Sequence, residues 1–154
     1  MPKRAFFAFH YKADRWRAAQ VRNIGVVDGG KIVGDNSWEA TKSSRASILR
    51  WIRSEMLGKS AVVILIGEDT WSRPWVRKEI EIARDLGKKL FGIRIHKLKN
   101  EDGETSRPGK NPFDYVADRR GRPLSESVEV FDPPGKGSRA AYQSIAQKLA
   151  EWFG

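Results

Sequence analysis

Ala61-Val62-Val63-Ile64-Leu65-Ile66 is an unbroken apolar run, rich in β-branched residues and closed by Gly67. Six apolar residues in a row leave no polar face. A strand made of them is covered on both sides, as in the centre of a parallel sheet. Two further segments read the same way: Ala5-Phe6-Phe7-Ala8-Phe9-His10-Tyr11 near the start, and Leu90-Phe91-Gly92-Ile93-Arg94-Ile95 further on. Between these runs the periodicity turns helical. Trp16, Ala19 and Gln20 mark a first helix up to about Asn23. Ser43 or Ser44 caps a second, with Ile48, Leu49, Ile52 and Met56 along one face and Gly58 as its stop. Asp69, Thr70 and Ser72 offer caps for a third, where Pro74 falls in the first turn and Val76, Ile80 and Ala83 form the stripe.

The remainder fits around this frame. Weak strand signals at residues 24–27 and 31–33 sit in a Gly- and Asp-rich stretch. Residues 97–122 are polar, with several Gly and Pro, and suggest a long insertion with short structure near Phe113-Asp114-Tyr115. Val128-Glu129-Val130-Phe131 reads as an edge strand. Ser138 caps a last helix carrying Tyr142, Ile145, Ala146, Leu149, Trp152 and Phe153. Buried strands alternating with amphipathic helices predict an α/β fold: a flavodoxin-like three-layer sandwich with a central, mostly parallel sheet of about five strands, in a single domain over residues 1–154. In such sheets ligands bind beyond the carboxyl ends of the strands, where strand order reverses. That address falls between the first strand and Ala61–Ile66, at His10, Tyr11 and residues 67–75.

Composition removes several chemistries. The 154 residues contain no cysteine, which excludes thiol catalysis and disulfides and fits a reducing compartment. Only two histidines occur, His10 and His96, so no metal site is expected. There is no Gly-x-Ser-x-Gly elbow, no phosphate loop and no dinucleotide fingerprint; hydride transfer is not expected, nor any bound cofactor. Lys and Arg total 29 against 19 Asp and Glu, a net charge of +10. The excess favours anionic partners, but apart from Arg119-Arg120-Gly121-Arg122 it is spread along the chain, so nucleic acid is not the expected partner. No apolar run approaches the roughly 20 residues of a membrane span, and the expectation is a cytoplasmic protein without a membrane partner.

The segment 67–80, with Trp75-x-x-x-Glu79 after a strand and a Ser72-containing turn, resembles the third helix of Toll/interleukin-receptor (TIR) domains. The opening Phe6-Phe7-Ala8-Phe9-His10-Tyr11-Lys12-x-Asp14 is similar to a narrower group, the TIR-like proteins of the Thoeris anti-phage system (the ThsB family). So are Val21-Arg22-Asn23, Trp38-Glu39, Trp51-Ile52, Gly92-Ile93-Arg94-Ile95-His96 and Lys110-Asn111-Pro112-Phe113-Asp114. The likeness spans roughly residues 4–115. It implies a TIR-like fold and an enzyme for which NAD is a substrate rather than a cofactor. Such an enzyme releases nicotinamide, converts the ADP-ribose part to a signal, often cyclic, and thereby activates a separate effector protein. Glu79 would be the catalytic residue; self-assembly into a homo-oligomer is compatible with the family.

The residue types suit that chemistry. Nicotinamide leaves NAD as a neutral molecule without an acid, so the enzyme's task is to stabilise an oxocarbenium-like ribose and orient its hydroxyls; one carboxylate suffices as a minimum. Trp75 and Glu79, four apart, share a helix face. Phe7, Phe9, Tyr11 and Trp38 are candidate stacking rings, His10 a candidate pocket contact, and Ser72 and Trp75 candidate substrate-binding neighbours of Glu79. Taken alone, a glutamate among Arg73, Arg77, Lys78 and Arg84 reads more simply as part of a solvated charged face. Ser72 reads first as a helix cap, and the tryptophans as packing residues. The alternative to catalysis is a TIR-like module for assembly or docking, with residues 97–122 as its contact surface.

Overall fold

All six residues of Ala61–Ile66 are buried, and this strand, β2, takes the interior position the run predicts. The computed structural model describes residues 4–24 and 44–153. Strand β1 (Ala5–Ala8) and strand β3 (Lys89–Arg94) pair in parallel with β2 on either side, and β4 (Glu129–Phe131) lies parallel to β3 at the edge. The order is β1-β2-β3-β4, four strands among the described residues. The stretch where a further strand is expected, beyond Ile24, lies outside them.

Strand alternation divides the core into two layers. Phe7, Val63, Leu65 and Ile93 face helices α1 (Tyr11–Arg22) and α4 (Ser138–Phe153). Phe6, Ala8, Val62, Ile64 and Ile66 face α2 (Arg45–Leu57) and α3 (Pro74–Asp85). This is the three-layer, flavodoxin-like and TIR-like arrangement. Helix α2 follows its sequence signals closely: the Ser44 side chain accepts from the Ser47 amide, Ile48, Ile52 and Met56 are buried, and Gly58 ends it. No helix among the described residues is long and apolar enough to cross a membrane.

Two local expectations shift. The first strand ends at Ala8 rather than Tyr11, because the chain turns there into α1, whose N-cap is His10. The buried face of α1 is Asp14, Arg17, Ala18 and Val21, while Trp16 is 54% exposed. Burial of two charged residues as an ion pair rotates the helix away from the phase that apolar spacing alone suggests. The insertion holds a short 3₁₀ turn at Pro112–Tyr115, where Phe113-Asp114-Tyr115 pointed to local structure, and a second follows it at Leu124–Glu126.

Candidate active site

The carboxyl ends of β1, β2 and β3 converge on a set of polar groups held by the loops that follow them. After β2, the Gly67 amide donates to Thr70 Oγ1 at 2.8 Å, closing a tight turn into the 3₁₀ segment Thr70–Ser72. Ser72 is exposed and its hydroxyl donates to the Asp69 carbonyl at 2.9 Å. It therefore fixes this turn and does not cap α3. That helix starts at Pro74, which has no amide hydrogen to satisfy, and its N-cap, Arg73, makes no side-chain cap bond.

His10 stands at the exit of β1, its carbonyl accepting the Asp14 amide at 2.8 Å. Burial, and then the positive charge of Arg73, lower its pKa, with Asp69 opposing in part, so the imidazole is neutral near pH 7. The charge coupling places His10 beside the 69–73 turn, as the topology anticipates.

Asp14 is the group sequence reading undervalued. It is 1% exposed and pairs with Arg17 at 2.8 Å. Arg17 also donates through Nε to the Leu98 carbonyl and through Nη2 to the Glu104 carbonyl, each at 2.8 Å. One guanidinium thus ties α1 to the start of the insertion, aided by Gln20 donating to the Lys99 carbonyl at 2.7 Å. The Asp14 carboxyl lies against the Cα of Gly67, leaving no room for a side chain there. Burial raises its pKa despite the opposing pull of Arg17. The i, i+3 spacing of Asp14 and Arg17 was the available signal.

The insertion folds back over this end. The Arg107 amide donates to Glu68 Oε1 at 2.9 Å, the Ser106 amide to the His96 carbonyl at 2.9 Å, and Arg94 to the Gly109 carbonyl at 2.5 Å. Gly109 packs so closely on the Gly67 and Glu68 backbone that a Cβ would overlap their carbonyls. Buried polar atoms with no hydrogen-bond partner among the described residues gather here: His10 Nδ1, Asp14 Oδ2, Arg73 Nε, His96 Nδ1 and Ser106 Oγ. Folded proteins leave few such atoms, so five at one end of a sheet mark a region suited to a polar ligand.

Glu79 lies on α3, about 7.5 Å along the helix from Pro74 at 1.5 Å per residue. It is fully buried, as are Val76, Ile80 and Ala83 beside it. It is not part of a solvated face. Half-buried Trp75, one turn earlier, carries the Arg45 guanidinium 5.1 Å above its ring. Phe9, fully buried, belongs to the opposite layer, with Tyr11 at 6.4 Å and the Arg22 guanidinium 5.6 Å over its ring. The sheet therefore brings His10 and the turn containing Ser72 together, whereas Phe9 and the pair Trp75 and Glu79 lie in different layers. Trp38 is outside the described residues.

Comparison with known proteins places the chain in a family. A family described as "Thoeris protein ThsB, TIR-like domain" matches residues 6–100. A relative from Bacillus cereus (strain MSX-D12), named "Putative cyclic ADP-D-ribose synthase ThsB1", is 36% identical over 122 residues, which is 75% of this chain. The chain spans 64% of that relative's length. The family match runs from β1 through β3 and takes in His10, Asp14, Gly67, the 69–73 turn and Glu79, and on that evidence the chain belongs to the Thoeris ThsB family of TIR-like domains.

Proposed function

We propose that this protein cleaves NAD, releases nicotinamide and forms an ADP-ribose-derived signal, cyclic in the simplest case, that activates an effector protein in anti-phage defence. The observation that carries the reading is the full burial of Glu79 on α3, in a family with a relative named for cyclic ADP-ribose synthesis. Burying a carboxylate is costly, and a residue with only a surface role gains nothing from it.

In the proposed reaction the bond between the nicotinamide nitrogen and C1′ of its ribose breaks. The electron pair goes to the pyridinium ring, which leaves as neutral nicotinamide, and C1′ becomes oxocarbenium-like. The Glu79 carboxylate accepts hydrogen bonds from the ribose hydroxyls and offsets the positive charge that develops on the ring. Attack at C1′ by an adenine nitrogen of the same molecule, with loss of a proton from the adenine, closes a cycle; attack by water, with loss of a proton, gives free ADP-ribose. Trp75, one turn before Glu79 on α3, and His10, Tyr11 and Ser72 beyond the strand ends are the further substrate contacts this reading proposes. Phe9 acts by packing against Tyr11. Trp38 is kept as a stacking candidate on sequence grounds. Glu79 is sealed from solvent, so substrate entry requires the chain around it to open.

The test is nicotinamide release from NAD, followed by mass spectrometry of the products, with purified protein and with extracts of phage-infected cells expressing it. Glu79→Gln preserves side-chain shape and removes the charge; the expected loss is about 10²–10³-fold or more. Equal turnover by the variant removes Glu79 from the mechanism. A docking module is the second reading, favoured by the tilted pair Trp71 and Tyr115, with ring centroids 5.4 Å apart and Tyr115 42% exposed. It predicts that defence survives Glu79→Gln.

A further inference from the structure

At the opposite end of the sheet, by the amino ends of β3 and β4, the described residues outline an open hollow of about 510 Å³. Its lining includes five cationic side chains, Arg84, Lys88, Lys89, Arg119 and Arg120, against one acid, Asp118. The lysines serve other contacts: Lys88 donates to the Lys59 carbonyl at 2.9 Å, and the Lys89 ammonium lies 5.3 Å over the Phe91 ring. The arginines differ. Arg84 donates through Nε to the Asp85 carboxylate at 3.0 Å and through Nη1 to the Ala117 carbonyl at 2.7 Å, and Arg119 donates through Nη2 to the Asp85 carbonyl at 3.0 Å. These bonds steady both guanidiniums and leave Nη2 of Arg84 and Nε and Nη1 of Arg119 as further donors for an anion.

Asp118 does not neutralise this group. Its Oδ1 accepts the Arg120 amide at 2.8 Å and the Arg122 amide at 2.9 Å, which fixes the turn presenting Arg119 and Arg120. The Ala117 and Pro123 bridge closes the same turn. Behind the arginines the hollow has an apolar floor of Leu90, Leu124 and Val128, which packs on the α2 and α3 side of the core. A bare anion site needs no such floor, and an extended polyanion surface needs no hollow. The volume falls within the range of small-molecule sites.

We infer that this hollow binds a nucleotide, with its phosphates held by Arg84, Arg119 and Arg120 and its base resting on Leu90, Leu124 and Val128. The site is independent of the reading of Glu79, because it lies at the other end of the strands and takes part in no bond cleavage.

The test uses the full chain carrying Glu79→Gln, so that turnover does not enter the measurement. ADP, adenosine and inorganic pyrophosphate are titrated while backbone amide shifts are followed. The expected result is that ADP binds more tightly than either fragment and moves amides of residues 87–90 and 118–128. R119E/R120E should weaken ADP about 10–100-fold, since two charge-assisted contacts are lost. Both substitutions lie in an exposed loop whose turn is closed by main-chain groups, and unchanged unfolding temperature checks the fold. Arg84→Gln serves as a second variant and should weaken ADP in the same direction. Pyrophosphate binding as tightly as ADP would reduce the site to a basic surface and overturn the inference. So would shifts confined to residues 67–73, undiminished ADP affinity in both variants, or binding of a single-stranded oligonucleotide without binding of ADP.

Discussion

Replacing Gly67 by alanine tests the geometry that joins β1, β2 and the insertion. A methyl group at residue 67 would stand 2.7 Å from Cγ and 2.8 Å from Oδ1 of Asp14, and closer still to Oδ2. Carbon atoms pack at about 3.5–4.0 Å, so roughly an ångström of movement is needed. On a surface the carboxylate would swing aside at little cost. Here the Asp14 side chain is 2% exposed and paired with Arg17, whose other donors are fixed on Leu98 and Glu104. If the pair holds, the strain is that of an overpacked core, about 1–3 kcal/mol. If Asp14 moves away, a buried arginine loses its counter-charge, at about 3–5 kcal/mol.

The lower of these two routes sets the cost, so Gly67→Ala should lose about 1–3 kcal/mol, in the upper part of that range because the pair is held on all sides. For a chain of 154 residues that is a fall in Tm of about 5–10 °C. Urea unfolding followed by circular dichroism measures it. The diagnostic step is a double-mutant cycle with Asp14→Ala. Once the carboxyl is gone the methyl has space, so the double variant should be no less stable than Asp14→Ala alone, a coupling of about 2 kcal/mol. Strict additivity, or a Gly67→Ala protein within about 0.5 kcal/mol of the parent, would refute the packing described for Asp14.

Arg17→Met should cost about 3–5 kcal/mol by stranding Asp14, and hydrogen exchange should quicken at residues 98–104; Arg17→Lys should not restore protection, because an ammonium lacks the planar fork that meets three acceptors. For pH, burial lowers the pKa of both His10 and His96 below the usual 6.5, so the unfolded chain binds protons first. Their contribution to stability is fully present above about pH 6.5 and is lost as pH falls through the folded values. Unfolding midpoints should therefore drop between pH 7.5 and 5, and less steeply in a His10→Asn, His96→Asn protein; equal slopes would contradict the burial of the two rings.

The parts of the fold legible in the sequence are those where burial is carried by apolar side chains alone. Ala61–Ile66, the α2 stripe with its Ser44 cap and Gly58 stop, and Pro74 at the head of α3 all fall as their residue types require. Reading failed where charge is buried. In α1 the inner face includes an ion pair, so apolar periodicity put Trp16 inward when it faces solvent. For Glu79, local composition suggested a solvated face, and only the family resemblance singled the residue out. Ser72 shows a different limit: its type suits a cap, but Pro74 leaves one less amide to satisfy, and the hydroxyl closes the preceding turn instead. The hollow by β3 was invisible because its arginines come from α3 and from a loop more than 30 residues away.

A chain with a net charge of +10 faces two opposed electrostatic demands if it handles a dinucleotide. Capture of an anionic diphosphate benefits from the positive field, which raises the encounter rate. Cleavage at a ribose that becomes cationic benefits from a carboxylate beside it. The neighbours of Glu79 on α3 are directed to other partners in a way that serves the second demand. Arg77 donates to the Trp71 carbonyl at 2.9 Å and lies 4.6 Å over the Tyr115 ring. Lys78 pairs with Glu81 at 3.6 Å, and Arg84 holds Asp85 and the Ala117 carbonyl. Releasing one of them should therefore matter more than its distance from the strand tips suggests. Tyr115→Ala removes the ring that helps hold Arg77; Tyr115 is 42% exposed at the end of a 3₁₀ turn, so the main loss is its contact with Trp71 and Arg77. If Glu79 is catalytic and a released guanidinium on the same helix disturbs its charge, nicotinamide release should fall several-fold and recover in the Tyr115→Ala, Arg77→Gln double variant. Wild-type turnover in Tyr115→Ala would show that the arrangement of the α3 cations serves packing alone.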